Sequence, residues 1–148
     1  MKIAKVNTRG KKGTEISACK SAKKRGLPLS GYRPKGSECE FEDIKETPFK
    51  KEEQSVIWNA RDSHATLVIG PIENSPMSEL SYEVAETFGR PVLISESSEE
   101  IIKWLSKLGE ELTLNITGPN EEEDEKSSLR AKKIMEKVLA HFDATLLM

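Results

Sequence analysis

The feature that most constrains the fold is the alternation of short apolar runs with longer amphipathic segments. Runs of strand length occur at residues 3–8, 27–32, 65–70, 92–95 and 112–117. Segments with helical spacing of apolar residues follow them, at residues 14–25, 51–60, 78–88, 98–108 and 127–142. Strands that alternate with helices pair in parallel through right-handed crossovers. The sequence therefore predicts one α/β domain over residues 1–148, a three-layer α/β/α sandwich with a parallel sheet of about five strands.

The apolar periodicity also predicts which helical residues face the sheet. In the segment 51–60 we expect Val56 and Ile57 to point inward, and in the segment 78–88 we expect an inward stripe that includes Phe88. The polar stretch from residue 33 to about residue 50 has no periodicity and is expected to be a long loop.

Charge is distributed unevenly along the chain. Residues 1–36 hold eleven Lys or Arg and one acid, Glu15, whereas residues 37–148 hold twelve bases and 24 acids. This asymmetry favours a small anionic partner near the first strand and helix. The basic residues 20–25 are explained by the solvated outer face of a helix, so the loop that carries Arg9, Lys11 and Lys12 is the informative place.

Several classes of protein and site are not expected. No apolar run approaches the ~20 residues that cross a bilayer, and residues 1–6 read into a strand and not into a signal peptide. We expect a cytoplasmic protein without a membrane or nucleic-acid partner. Cys19 and Cys39 should be free thiols there, and neither they nor the two histidines have metal-ligand spacing.

Ligands of such sheets collect beyond the carboxyl ends of the strands, which directs attention to the loops. Lys11 and Lys12 lie between Gly10 and Gly13, where they predict either a phosphate cradle at a helix N-terminus or a solvated basic turn. The pair at residues 35–36, Lys and Gly, also suits contact with an anion.

Polar residues also precede the third strand. Asn59, Arg61 and Asp62 predict a mixed role, in which an internal network that clamps the loops is at least as well supported as ligand contact.

Five motifs, in one order, resemble those of the molybdenum cofactor carrier family. Residues 26–36 read GLPLSGYRPKG, residues 46–48 ETP, residues 58–67 WNARDSHATL, residues 89–91 GRP and residues 114–119 LNITGP. The first and third are similar to the family's GIPxGGWCPKG and WNVRDSDATL. The motifs are spread over most of the chain.

The resemblance implies a Rossmann-like fold related to the lysine-decarboxylase-like (LOG or SLOG) proteins, which include phosphoribohydrolases. It also implies a ligand, the molybdenum cofactor (molybdopterin), a phosphorylated pterin that holds molybdenum through its own dithiolene sulfurs. One hypothesis is thus a non-catalytic, homo-oligomeric carrier. The alternative is a nucleotide-binding phosphoribohydrolase, in which Glu83 matches the glutamate that acts on the ribose.

Two loops depart from the family pattern. Where the family has GGQTGxDR, residues 9–16 read RGKKGTEI, and where it has TGGTALTxE, residues 75–83 read SPMSELSYE. Because Pro76 has no N–H and Met77 adds a side chain, we expect a weaker or shifted anion site there, held partly by the hydroxyls of Ser75 and Ser78.

The resulting set of expected ligand-binding residues contains no catalytic group and no metal ligand. Its members are Thr8, Arg9, Gly10, Lys11, Lys12, Gly13, Lys35, Gly36, Asn59, Arg61, Asp62, Ser75, Met77, Ser78, Glu83, Gly118 and Pro119.

Overall fold

The computed structural model describes the backbone of residues 1–147 and the side chains of residues 1–143. Its strands are β1 (Ile3–Asn7), β2 (Leu29–Ser30), β3 (Tyr32–Arg33), β4 (Lys45–Glu46), β5 (Ala65–Val68), β6 (Val92–Ile94) and β7 (Leu112–Thr117). Its helices are α1 (Thr14–Lys24), α2 (Glu52–Arg61), α3 (Pro76–Thr87), α4 (Ser98–Ser106) and α5 (Ser127–Leu147).

The main sheet has five strands in the order β2-β1-β7-β5-β6, and every neighbouring pair is parallel. Helices α1 and α4 pack against α5, and α2 packs against α3, which gives helical layers on the two faces of the sheet. The predicted three-layer α/β/α sandwich and its five parallel strands are confirmed. The order brings the carboxyl ends of β1 and β7 side by side, so the loops that follow them meet.

The core lies along the central strands. All four residues of β5 are buried, as expected of a parallel strand covered on both faces. Leu67, Leu114 and Ile116 have no exposed surface, and Met135 of α5 packs in the same cluster. No helix among residues 1–147 is both long and apolar enough to cross a membrane.

The inward orientation predicted for two side chains, Ile57 and Phe88, is wrong. Ile57 is 37% exposed because the buried face of α2 is formed by Ser55, Val56, Asn59 and Ala60, and Ile57 points about 100° away from Val56.

Phe88 is 41% exposed because α3 ends at Thr87 and Phe88 is the residue that caps it. The helix also begins two residues earlier than the periodicity predicts, at Pro76, which suits the first turn of a helix.

The polar stretch after β2 is more ordered than the sequence predicts. Strands β3 and β4 form a small parallel sheet of their own, and Ile44 between them is 1% exposed and joins the main core. Arg33 donates from Nε to the Ile44 carbonyl and also bonds the Ser37 carbonyl. The large apolar residues of this stretch are Phe41, Ile44 and Phe49, and their spacing gives no periodic signal, which is why the strand pair was missed.

Candidate ligand-binding cleft

A cleft of about 380 Å³ opens at the carboxyl end of β1. This volume lies at the low end of the range of small-ligand sites. We call it the β1 cleft. It is formed by the β1–α1 loop, the β7–α5 turn, the segment after β3 and the first residue of α2, and it is lined by Arg9, Lys11, Lys12, Pro34, Ser37, Glu38, Glu52, Asn120, Glu121 and Glu122.

Hydrogen bonds hold the β1–α1 loop and the β7–α5 turn of the cleft together. Thr14 donates from both its N–H and its hydroxyl to the Pro119 carbonyl, and the N–H of Glu121 donates to the Lys12 carbonyl. Gly13 has a φ of +123°, and a Cβ there would lie 2.8 Å from the Asn120 backbone. Only glycine permits this approach, so the cleft floor is set by backbone geometry.

A buried ion pair anchors the floor. Arg9 Nε donates to Glu15 Oε2 at 3.0 Å, and the side chains are 5% and 3% exposed. The same carboxylate accepts from the Thr117 hydroxyl at 2.7 Å and, through Oε1, from the Lys11 N–H at 3.1 Å. Glu15 is therefore fully hydrogen-bonded, as a buried charge must be.

The other end of the Arg9 guanidinium is less well paired. Nη1 is buried and has no hydrogen bond among the described residues, and the Glu52 carboxylate lies 3.5 Å away. The same Glu52 oxygen accepts from Lys11 Nζ at 2.6 Å. Partial burial pushes the pKa of Glu52 upward, but Lys11 and Arg9 outweigh it and hold the pKa below its ordinary value.

The lining of the β1 cleft carries charges of both signs. The lining contains the bases Arg9, Lys11 and Lys12 together with the acids Glu38, Glu52, Glu121 and Glu122. Arg9 and Lys11 are engaged by carboxylates, whereas the exposed Lys12 has no ion pair among residues with described side chains. Of these three bases, Lys12 therefore carries the charge that no described carboxylate pairs.

Comparison with known proteins gives the family. The model of the circularly permutated YpsA SLOG family matches residues 6–139. The chain belongs to this family. A solved structure from Syntrophus aciditrophicus SB, described as a putative molybdenum carrier protein, is 26% identical with a TM-score of 0.82, covering 93% of this chain and 95% of that one. No curated protein matches.

In this SLOG chain, Asn59 serves as a clamp. Its side chain accepts from the Tyr32 N–H at 2.8 Å and donates to the Tyr32 carbonyl at 3.0 Å, and it is 2% exposed. The main-chain carbonyl of Asn59 accepts from the Ser63 hydroxyl, and this hydroxyl accepts from the side-chain amide of Asn7 at the end of β1. These hydrogen bonds form an internal network that clamps the loops, and Asn59 does not line the β1 cleft.

Arg61 and Asp62 form an exposed pair with Nε–Oδ1 at 2.7 Å, and the Arg61 guanidinium lies 5.3 Å from the centre of the Trp58 ring. The Arg61 hydrogen bond lowers the pKa of Asp62 against a smaller opposing effect of burial. Neither residue lines the β1 cleft.

Lys35 and Gly36 are exposed and also lie outside the cleft lining. Their N–H groups donate to the Phe49 carbonyl and to Glu46 Oε2, respectively. Thr8 and Gly10 shape the loop, since the Thr8 hydroxyl accepts from the Gly10 N–H at 3.3 Å.

The start of α3 is filled by a carboxylate of the chain itself. Ser75 and Ser78 are buried and share a hydrogen bond of 2.7 Å, and the Ser75 hydroxyl donates to Glu123 Oε1 at 2.9 Å. The same oxygen accepts from the Asn120 N–H at 3.0 Å. The acidic run 121–125 therefore places one member, Glu123, at the position expected for an anion.

The remaining expected residues have local roles. Met77 is half-buried in the first turn of α3, and the Glu83 side chain is exposed, away from the cleft lining. Gly118 is a close-approach position, where a Cβ would lie 2.5 Å from the Ile69 carbonyl oxygen.

Sequence reasoning missed the two acids that organise the β1 cleft, Glu15 and Glu52. Glu15 had one signal, because it is the single acid among eleven bases in residues 1–36. Glu52 had none, because it lies 41 residues from Lys11 in the chain. Among the residues with described side chains, no three His, Cys, Asp or Glu are grouped to hold a metal ion, and Cys19 and Cys39 are unbridged.

Proposed function

We propose that this SLOG protein binds a small phosphorylated ligand in the β1 cleft and acts as a carrier, without catalysis. The observation that carries the proposal is the Arg9 guanidinium, which is 5% exposed, lines the cleft and keeps one nitrogen without a hydrogen bond. Buried charged donors gain most from a charged acceptor. A phosphate oxygen is such an acceptor, and Lys11 and Lys12 add positive charge at the same loop.

The molybdenum cofactor is the ligand we propose, because the similar protein from Syntrophus aciditrophicus is described as a putative molybdenum carrier. The unbonded Arg9 nitrogen and the two lysines fit its phosphate. When bound, the cofactor would supply molybdenum held by its own dithiolene sulfurs. The residues of this chain would hold the phosphate and exclude water from Arg9.

A direct binding assay tests the proposal. Molybdopterin released from a molybdoenzyme, and separately AMP, are titrated into the purified protein by fluorescence and calorimetry. We expect molybdopterin to bind and AMP to remain uncleaved. Release of free base from AMP would instead support the phosphoribohydrolase alternative.

The matched variants are two double charge reversals. Lys11→Glu with Lys12→Glu should weaken binding by roughly 100-fold or more, since each hydrogen bond to a charged group contributes about 1.5–3 kcal/mol. Lys132→Glu with Lys133→Glu makes the same charge change on the exposed face of α5 and should leave the affinity within about threefold. If the two double variants change the affinity equally, Lys11 and Lys12 belong to a solvated turn and do not contact the ligand.

A further inference from the structure

We propose that Glu52 is a built-in competitor of the ligand: its carboxylate holds the position at Lys11 and Arg9 that the ligand's phosphate takes, so binding displaces Glu52. This inference rests on the proposed function of the β1 cleft and adds the regulation of that site. It concerns one oxygen atom, Oε1, which faces both cations.

The geometry makes the two anions mutually exclusive. Glu52 Oε1 lies 2.6 Å from Lys11 Nζ and 3.5 Å from Arg9 Nη1. A phosphate oxygen bonded to both nitrogens would occupy the same volume as this oxygen. Two negative charges in contact in a partly buried site repel strongly. The ligand's phosphate and the Glu52 carboxylate therefore cannot both bind Lys11 and Arg9.

Glu52 is an incomplete partner for Arg9. Arg9 Nη1 is buried without a hydrogen bond, although Nε is fully paired with Glu15. An unmade hydrogen bond of a buried charged donor is costly. A phosphate has several oxygens and satisfies Lys11 and Arg9 together, which the single Glu52 oxygen at 3.5 Å does not. The exchange therefore favours the ligand.

Glu52 is also free to leave. Its side chain is already 35% exposed, so the displaced carboxylate reaches water without burying a charge elsewhere. It is the first residue of α2, and Lys51 before it makes no side-chain cap. An acid at this end of a helix is favourable in many rotamers because it interacts with the helix dipole. The displacement thus needs a side-chain rotation and no loss of the helix.

The competition predicts that removing the Glu52 charge opens the site. The test uses inorganic phosphate as the probe, with Glu52→Gln as the variant and Glu53→Gln as the matched control. Both substitutions remove one negative charge from the first turn of α2, but Glu53 lies outside the β1 cleft. We expect Glu52→Gln to bind phosphate about tenfold more tightly than the wild type and Glu53→Gln to bind it within twofold.

A second measurement on the wild-type protein needs no variant. The ¹³C resonance of the Glu52 side-chain carboxyl should move as phosphate is added, with the same midpoint as calorimetric binding, while that of Glu53 stays in place. A Glu52 signal that is unchanged at saturating phosphate overturns the proposal, whatever the variants do.

The outcomes separate this inference from the proposed function. If the wild type binds phosphate, Lys11→Glu with Lys12→Glu abolishes binding and Glu52→Gln binds no more tightly, the competitor role is wrong and the site stands. Weaker binding by Glu52→Gln also overturns it, because Glu52 would then be a ligand contact. If neither the wild type nor Glu52→Gln binds phosphate or molybdopterin, the proposed function itself fails.

Discussion

Replacing Glu15 by Gln tests how far the floor of the β1 cleft depends on one buried charge. Glutamine keeps the size of the side chain and can still accept a hydrogen bond from the Thr117 hydroxyl or the Lys11 N–H. It removes the negative charge that faces Arg9 Nε at 3.0 Å. Arg9 would stay buried, and the next carboxylate, Glu52, is 3.5 Å from Nη1 and partly in solvent.

The expected cost is large because both side chains are almost wholly buried. Removing one partner of a buried ion pair costs about 3–5 kcal/mol, since the other charge stays desolvated. For a chain of this size, 1 kcal/mol shifts the midpoint of thermal unfolding by roughly 2–4 °C, so Glu15→Gln should lower it by about 6–20 °C. Replacing Arg9 and Glu15 together by apolar residues should recover part of this loss.

Urea unfolding followed by circular dichroism measures the effect. The control is Glu40→Gln, which breaks an exposed contact of 3.8 Å with Lys20 and should cost less than about 1 kcal/mol. If Glu15→Gln costs no more than Glu40→Gln, Arg9 does not depend on its buried partner, and the account of the cleft floor is wrong.

Two further predictions follow from the pKa shifts. Lys11→Met should raise the pKa of Glu52 toward its ordinary 4.5, since burial then acts with less opposition; a ¹³C carboxyl titration measures this, and an unmoved pKa contradicts the pairing. Because the folded-state pKa of Glu52 is lowered, the stability that Glu52 contributes is present above pH 4.5 and is lost as the pH falls through the lowered value. This loss of stability at acid pH should be smaller in Lys11→Met than in the wild type. For Cys19, burial raises the pKa of the thiol, so at pH 8 a disulfide reagent should modify Cys39 in the folded protein and Cys19 only at the rate of unfolding. Equal modification rates would show that the α1 face is open to the reagent.

The fold could be predicted from the sequence because the pattern that indicates each helix and strand is local. The alternation of apolar runs and helical spacing placed all five strands of the main sheet and all five helices, since periodicity reports burial within one element. It was wrong about Ile57 and Phe88, where the apolar residue lies one position off the buried stripe or beyond the helix end.

The sequence also indicated the β1–α1 loop, because the bases Arg9, Lys11 and Lys12 stand out beside two glycines. That these residues bind a ligand remains a prediction. The same reasoning grouped Lys35 with them, and the structure places Lys35 outside the lining of the β1 cleft. Helix α1 and strands β2 and β3 separate the two loops along the chain, and no local pattern shows which way a lysine in the loop after β3 points.

Only the tertiary structure decided which acids meet these bases and hydroxyls. Glu52 reaches Lys11 across 41 residues, and Glu123 reaches Ser75 across 48. Both contacts follow from how loops of different strands come together at one edge of the sheet. A solvated acid and an acid that contacts a base or hydroxyl of a distant segment have the same local sequence. The sequence therefore determined the helices, the strands and the basic loop, and the packing of the loops determined which charges meet at the site.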